Sequence, residues 1–149
     1  MGLTARKAEK LSVLRSVQLE EKIVFTASVA TKGYINIPCD GELVDVQVSQ
    51  PVAGAGGTSI STALQKQTAN VAMLGTAAVL TLAAGNFASV DARKKQSLPA
   101  GCTRPVITST RSARRVKKGD IIEITVTPTG AYAGTFPTVM VHAHVNADT

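Results

Sequence analysis

The stretch Ser112-Ala-Arg-Arg-Val-Lys-Lys-Gly-Asp-Ile-Ile-Glu-Ile-Thr-Val-Thr-Pro-Thr-Gly130 decides the fold class. It begins with a dense positive run of Arg114, Arg115, Lys117 and Lys118, then reaches a turn signal at Gly119-Asp120. From Ile121 to Thr127 the apolar residues recur every second position, with Ile122, Ile124 and Val126 on one face. A period of two is the signature of a half-buried β-strand. The stretch therefore predicts a basic loop, a turn and a strand that anchors a β-rich core.

The same period appears on both sides of it. Ile23, Phe25, Ala27 and Val29 alternate within residues 22–30, Ile35 and Ile37 follow the turn at residues 31–33, and Val44, Val46 and Val48 alternate within residues 43–50. Asp40-Gly41 is a hairpin-type turn signal. Ile60, Thr62 and Leu64 share a face, as do Val139, Val141, Ala143 and Val145 in the last apolar run. Residues 51–59 read as a Gly-rich loop, and residues 86–105 as polar and turn-rich. Residues 70–85 read as apolar strands or as one buried helical turn, which periodicity alone does not separate. Some eight short strands joined by Gly and Pro loops predict an all-β chain, an antiparallel β-sandwich of jelly-roll type. No P-loop, dinucleotide-binding glycine pattern or βαβ rhythm is present.

Residues 1–21 differ from the rest. Arg6, Lys7, Lys10 and Arg15 are basic, while Leu11 and Leu14 stand at helix-like spacing. They are expected to form a short N-terminal arm that orders on a surface, with the sandwich domain spanning residues 22–149. An isolated helix of that length is marginal in water, so the arm needs something to dock against.

The totals agree with one domain. The chain has 149 residues, of which 44% are hydrophobic and 17% charged, a globular rather than disordered balance. Aromatic residues make up only 3%, and the net charge is +6. A basic balance favours an acidic partner without saying which. Cys39 and Cys102 lack the spacing of a zinc or redox motif and are expected as free thiols. The longest apolar region, residues 71–84, is interrupted by Gly75, Thr76 and Thr81 and is too short to span a bilayer. No membrane partner is expected.

Chemistry-bearing constellations are sparse. His142 and His144 share a strand face, where two solvated polar side chains are the simpler reading and a metal pair lacks an evident third ligand. The ten carboxylates are scattered, and Cys102 has no base beside it in sequence. No catalytic residue, metal or cofactor is expected, and the chain is not expected to be an enzyme. The basic clusters are Arg93, Lys94 and Lys95, and then Arg104, Arg111, Arg114, Arg115, Lys117 and Lys118 with no acidic residue among them. Three readings stand: a solvated face, a contact to an acidic protein surface, and phosphate binding. Single-strand binding adds aromatics to stack bases, but Tyr34, Phe87 and Tyr132 lie away from these runs, so nucleic acid is the least favoured partner.

The order of elements resembles a known group. Residues 37–46 read I-P-C-D-G-E-L-V-D-V, a Gly-rich loop follows, residues 89–101 read S-V-D-A-R-K-K-Q-S-L-P-A-G, and the series closes with the V-x-x-G-D-x-I-x-I-x-V-T strand and a valine-rich strand. The positions are Val116, Gly119, Asp120, Ile122, Ile124, Val126, Thr127, Gly130, Gly134, Val139 and Val141, within a likeness over residues 22–147. The series is similar to the jelly-roll decoration (cement) proteins of tailed-bacteriophage heads and to related modules of phage fibres. The resemblance implies a homotrimer on the outer surface of an icosahedral head, bridging major capsid subunits, found in the virion and in the host cytoplasm during assembly. The residues expected to meet the capsid or another partner are then Arg6, Lys7, Lys10, Leu11, Leu14 and Arg15 of the arm, with Arg93, Lys94, Lys95, Arg111, Arg114, Arg115, Lys117 and Lys118. A receptor-binding fibre module is the nearest rival, and a basic nucleic-acid-binding protein the next.

Overall fold

A computed structural model describes residues 16–93 and 97–148. Twelve strands are present among the described residues: β1 (Ser16–Val24), β2 (Thr31–Asn36), β3 (Gly41–Val52), β4 (Ser59–Lys66), β5 (Val71–Ala72), β6 (Leu74–Thr76), β7 (Ala78–Thr81), β8 (Ala88–Asp91), β9 (Val106–Ile107), β10 (Arg115–Val116), β11 (Ile121–Thr129) and β12 (Thr138–Ala147). One helical turn, α1 (Arg111–Arg114), precedes β10, and a 3-10 turn covers Leu82–Ala84.

Eight of these strands form two facing sheets. The first runs β1-β12-β3-β8 and the second β2-β11-β4-β7, all antiparallel. Among those eight, only β4 and β7 are both consecutive in sequence and paired. Each sheet otherwise takes alternate strands from the two ends of the chain, the winding of a jelly roll. β10 extends the β3 edge at its start, β5 extends β4 at its end, and β6 pairs with β9 as a separate ribbon. The fold class expected from the sequence is the one observed.

The core lies between the sheets. Ile122, Ile124 and Val126 from β11 and Val139, Val141, Ala143 and Val145 from β12 are fully buried, against Leu43, Val46 and Val48 of β3, Ile60 and Leu64 of β4, and Ile23, Ile35 and Ile37. Each such Val, Leu or Ile side chain stabilises the fold by about 1.5–3 kcal/mol through burial. Gly119, at φ 92°, lets the chain reverse into β11, and the turn closes with the Asp120 N–H donating to Lys117 O at 2.9 Å.

Several boundaries differ from expectation, each for a physical reason. The two-residue period expected to begin at Lys22 begins at Ser16, because β1 pairs with β12 from Ser16↔Asn146 to Val24↔Thr138. Residues 16–21 therefore belong to the sandwich, and the arm as expected survives only as residues 1–15, which lie outside the described residues. β1 stops at Val24, so Ala27 and Val29 are exposed loop residues and only Ile23 and Phe25 of that alternation are buried.

In β3 the register shifts between Asp45, opposite His144, and Leu43, opposite Val145. The bulge at Val44 flips the alternation, so Leu43 rather than Val44 joins Val46 and Val48 inside. β3 also runs through Pro51, where a second shift in pairing accommodates a residue with no N–H. Asp40-Gly41 does not make a hairpin: it carries the chain from β2 in one sheet to β3 in the other. Gly41 is needed there for close approach, since a Cβ would collide with the Asn146 carbonyl oxygen. Residues 71–81 resolve as short strands, and the polar segment after residue 85 contains the edge strand β8.

Candidate functional site

The basic run of the opening stretch sits where α1, β10 and the following turn pack against the start of β3. Arg114 is an internal brace. Its Nε donates to Glu42 Oε1 at 2.8 Å, and its Nη1 donates to the carbonyls of Thr108 at 3.1 Å and Ser109 at 2.8 Å. Arg115 forks onto the carboxylate of Asp148, with Nη1 to Oδ1 at 2.9 Å and Nη2 on Oδ2. That bond holds the Asp148 carboxyl below its usual range and the guanidinium above its own. Lys66 reaches in from β4 and donates to the carbonyls of Ser112 and Arg115, both at 2.8 Å. The backbone N–H of Lys117 donates to Asp120 Oδ2, and that of Lys118 to Asp40 Oδ1, both at 2.8 Å.

The run is therefore not uniformly a solvated lip. Arg114 and Arg115 hold the chain's own acidic residues, far away in sequence, while Arg111, Lys117 and Lys118 are exposed. A cleft of about 400 Å³ between them is lined by Asp40, Lys66, Ser112, Arg115, Lys117 and Asp120, so charges of both signs alternate around it.

The two basic clusters meet in space. Exposed Arg93, just after β8, lines one shallow hollow of about 370 Å³ with Arg114, Glu42 and Ile107. Arg6, Lys7, Lys10, Leu11, Leu14, Arg15, Lys94 and Lys95 lie outside the described residues.

The outer face of the first sheet carries the second constellation. His142 and His144 lie side by side on β12, with Glu20 and Gln18 opposite them on β1 and Gln47 and Asp45 on β3. His142 Nε2 is 3.0 Å from Glu20 Oε2. Asp45 meets Asp91 of β8, and both carboxylates accept the Arg93 N–H, at 3.2 and 2.9 Å. Burial first, and then the hydrogen bond and charge of Asp91, push the Asp45 carboxyl up to about 6. A hollow of about 150 Å³ separates these groups. Among the described residues no three His, Cys, Asp or Glu side chains are arranged to hold a metal ion.

The Asp45–Asp91 pair is not legible in the sequence, where residues 86–105 read as loop. The alternation of Ser89 and Asp91 with Ala88 and Val90 was the available signal. Cys39 and Cys102 are free, half-buried thiols. Cys102 Sγ has Thr81 Oγ1 at 3.8 Å and the Ala100 carbonyl at 3.9 Å, neither of them a base.

The far end of the sandwich is apolar. Val24, Thr138 and Val52 lie in register across β1, β12 and β3, with Val24 and Val52 exposed. Exposed Val29 and Phe87 belong to loops at the same end. β3 separates this end from the basic corner by about 35 Å, at 3.3 Å per residue.

No protein-family model matches the sequence, and no curated protein matches it. Solved structures do. A chain of the cyanophage Pam1 capsid asymmetric unit aligns with TM-score 0.51 at 13% identity, covering 89% of this chain and 85% of that one. The crystal structure of FLHE aligns with TM-score 0.42 at 9% identity, over 90% of this chain and 98% of that one. At 13% identity the first likeness is one of fold: the two-sheet winding described above is shared across nearly the whole length of both chains.

Proposed function

We propose that this chain is a structural virion protein, a decoration (cement) protein that binds as a homotrimer to the outer surface of an icosahedral phage head and bridges major capsid subunits. The observation that carries the reading is the jelly-roll winding over the whole described body, held in common with a chain of a phage capsid. The residue pattern around Gly119-Asp120 and the closing valine strand points the same way.

On this reading the partners are the major capsid protein and other copies of the chain, with no reaction, cofactor, nucleic acid or membrane involved. A protein that binds only the assembled shell stabilises it by mass action, and several contacts per trimer multiply the effect. The arm at residues 1–15 serves attachment, since folding of the sandwich begins with β1 at Ser16. The test is co-sedimentation with empty heads stripped of accessory proteins, comparing the full chain with a chain lacking residues 2–15. Saturable binding by the full chain, with weaker binding by a folded truncated chain, supports the reading. A full chain that stays in the supernatant while the heads pellet sinks it.

A further inference from the structure

The outer face of the first sheet is short of hydrogen-bond donors. Glu20, Asp45 and Asp91 bring carboxylates to it from β1, β3 and β8, and exposed Lys22 alternates with Glu20 at its rim. What pulls the Asp45 carboxyl back down is the backbone N–H groups of Arg93 and Val46, not a side-chain cation. Glu20 accepts the Nε2–H of His142, which leaves Nδ1 of the neutral ring as an acceptor. That Nδ1 is buried and has no hydrogen-bond partner, an unfavourable state for a polar atom. His142, Asp45 and Asp91 line the same hollow of about 150 Å³. Its chemical complement is an organic cation with several N–H donors, a guanidinium or an ammonium group.

The chain carries such groups next to this face. Residues 1–15 hold Arg6, Lys7, Lys10 and Arg15 against the single acid Glu9, and they enter the sandwich at Ser16. Ser16 lies opposite Asn146, two residues along β12 from His144, and alternates onto the same face as Gln18 and Glu20. Asp45 is two strand spacings across and two residues along from Ser16, about 12 Å. The six residues back to Lys10 span up to about 20 Å when extended, and Arg6 reaches further. The other surface beside Ser16 repels the arm. Asn146 is in register with Glu42, where Arg115 also pairs, so exposed Arg111, Lys117 and Lys118 stand at that end.

We propose that the arm of residues 1–15 lies back over the outer face of the first sheet of its own chain, with an arginine or lysine head group over the hollow between His142 and Asp45. Exposed charge pairs are individually weak. A short tether gives the arm an effective concentration in the millimolar range, so a weak contact is still populated. The arm is thus held by its own domain in the free chain and is exchanged for another surface on attachment. The contact concerns the free chain and is independent of the decoration reading.

His142 and His144 are the only histidines of the chain, so their imidazole NMR signals report on this face alone. The experiment records them for the full chain and for the variant Arg6→Glu/Lys7→Glu/Lys10→Glu, which leaves every residue of the sandwich unchanged. At about 0.01 M salt, where screening acts over about 30 Å, the signals of both histidines are expected to differ between the two chains. At about 1 M salt they are expected to coincide. Trypsin is expected to cut after Arg15 several-fold faster in Glu20→Gln/Asp45→Asn than in wild type at low salt, because the arm is released. Histidine signals that coincide at low salt overturn the proposal, as do equal rates of cleavage. Wild-type signals that move towards those of the arm variant on dilution also overturn it, since the occupant would then be the arm of a neighbouring copy. No readout uses a shell, so a failure here is distinct from a failure to bind heads.

Discussion

Glu21 lies across the open side of the sandwich and meets Tyr34 on the other sheet: its Oε2 accepts the Tyr34 backbone N–H at 3.3 Å, while Oε1 accepts the N–H of Lys22 at 3.2 Å. β1 and β2 are the edge strands on this side, one in each sheet. Edge strands with free N–H groups invite pairing with other chains, and an inward-leaning charge at the edge blocks it. Gly33 makes room, since a Cβ there would stand 2.9 Å from the Glu21 side chain. Glu21→Leu is expected to cost about 0.5–1.5 kcal/mol, the range for a lost hydrogen bond. It should also raise the rate of β-sheet aggregation on mild heating, followed by light scattering. Unchanged aggregation would show that β2 needs no such guard.

Ile124 tests the core register. It is fully buried, opposite Gly33 on one side and Leu64 on the other. Ile124→Ala is expected to lower stability by about 2–5 kcal/mol in urea unfolding. Ile124→Asp places an unpaired charge between the sheets and is expected to prevent folding. A folded Asp variant with a normal Tm would mean the strand faces the other way.

The contrast between β11 and β3 shows what the sequence could disclose. In β11 each inward residue is Ile or Val and each neighbour is polar or half-buried, so the period read directly. In β3 the pattern Leu43-Val44-Asp45-Val46 fits two registers, and only pairing with His144 and Val145 on β12 decides that Val44 is the bulged residue. Asp40-Gly41 looked like a hairpin because a turn signal reports a change of direction, not which sheet the next strand joins. The same limit hid Arg114–Glu42 and Asp45–Asp91, whose partners are distant in sequence and meet through sheet topology alone.

The Asp45–Asp91 pair makes stability depend on pH. The Asp45 carboxyl titrates at about 6 in the fold against an ordinary 3.8, so the folded chain binds more protons than the unfolded one between those values. Its contribution is therefore fully present below about pH 4 and is lost as pH rises through about 6. Asp45→Asn keeps a hydrogen-bonding partner for Asp91 without the charge. The variant should melt higher than wild type at pH 7, and the gap should close towards pH 4. Parallel Tm–pH curves for the two chains would remove Asp45 as the source.

The basic corner separates into two classes of side chain, and mutagenesis can tell them apart. Arg114 bonds Glu42 and two backbone carbonyls at once, a geometry that the single ammonium of lysine does not reproduce. Arg114→Ala should lower stability by about 1–3 kcal/mol, the range for charged hydrogen bonds left unmade, and Arg114→Lys should recover little of it. Arg111, Lys117 and Lys118 are exposed, so replacing all three with Ala should shift stability by no more than about 0.5 kcal/mol per site. What that triple variant changes is the electrostatics of binding. Charge alone gives duplex DNA an affinity of roughly 10⁻⁴ to 10⁻⁶ M at physiological salt, falling steeply as salt rises. On the proposed decoration reading, attachment to a protein shell would combine apolar docking with several contacts per trimer and should persist as salt approaches about 1 M, where screening acts over about 3 Å. The triple variant is therefore expected to lose its DNA affinity and to stay on empty heads at high salt, with weaker retention only at low salt. The comparison is a salt series on both targets with wild type and variant side by side. Tight DNA binding that survives high salt, with heads released at low salt, would replace the decoration reading with nucleic-acid binding.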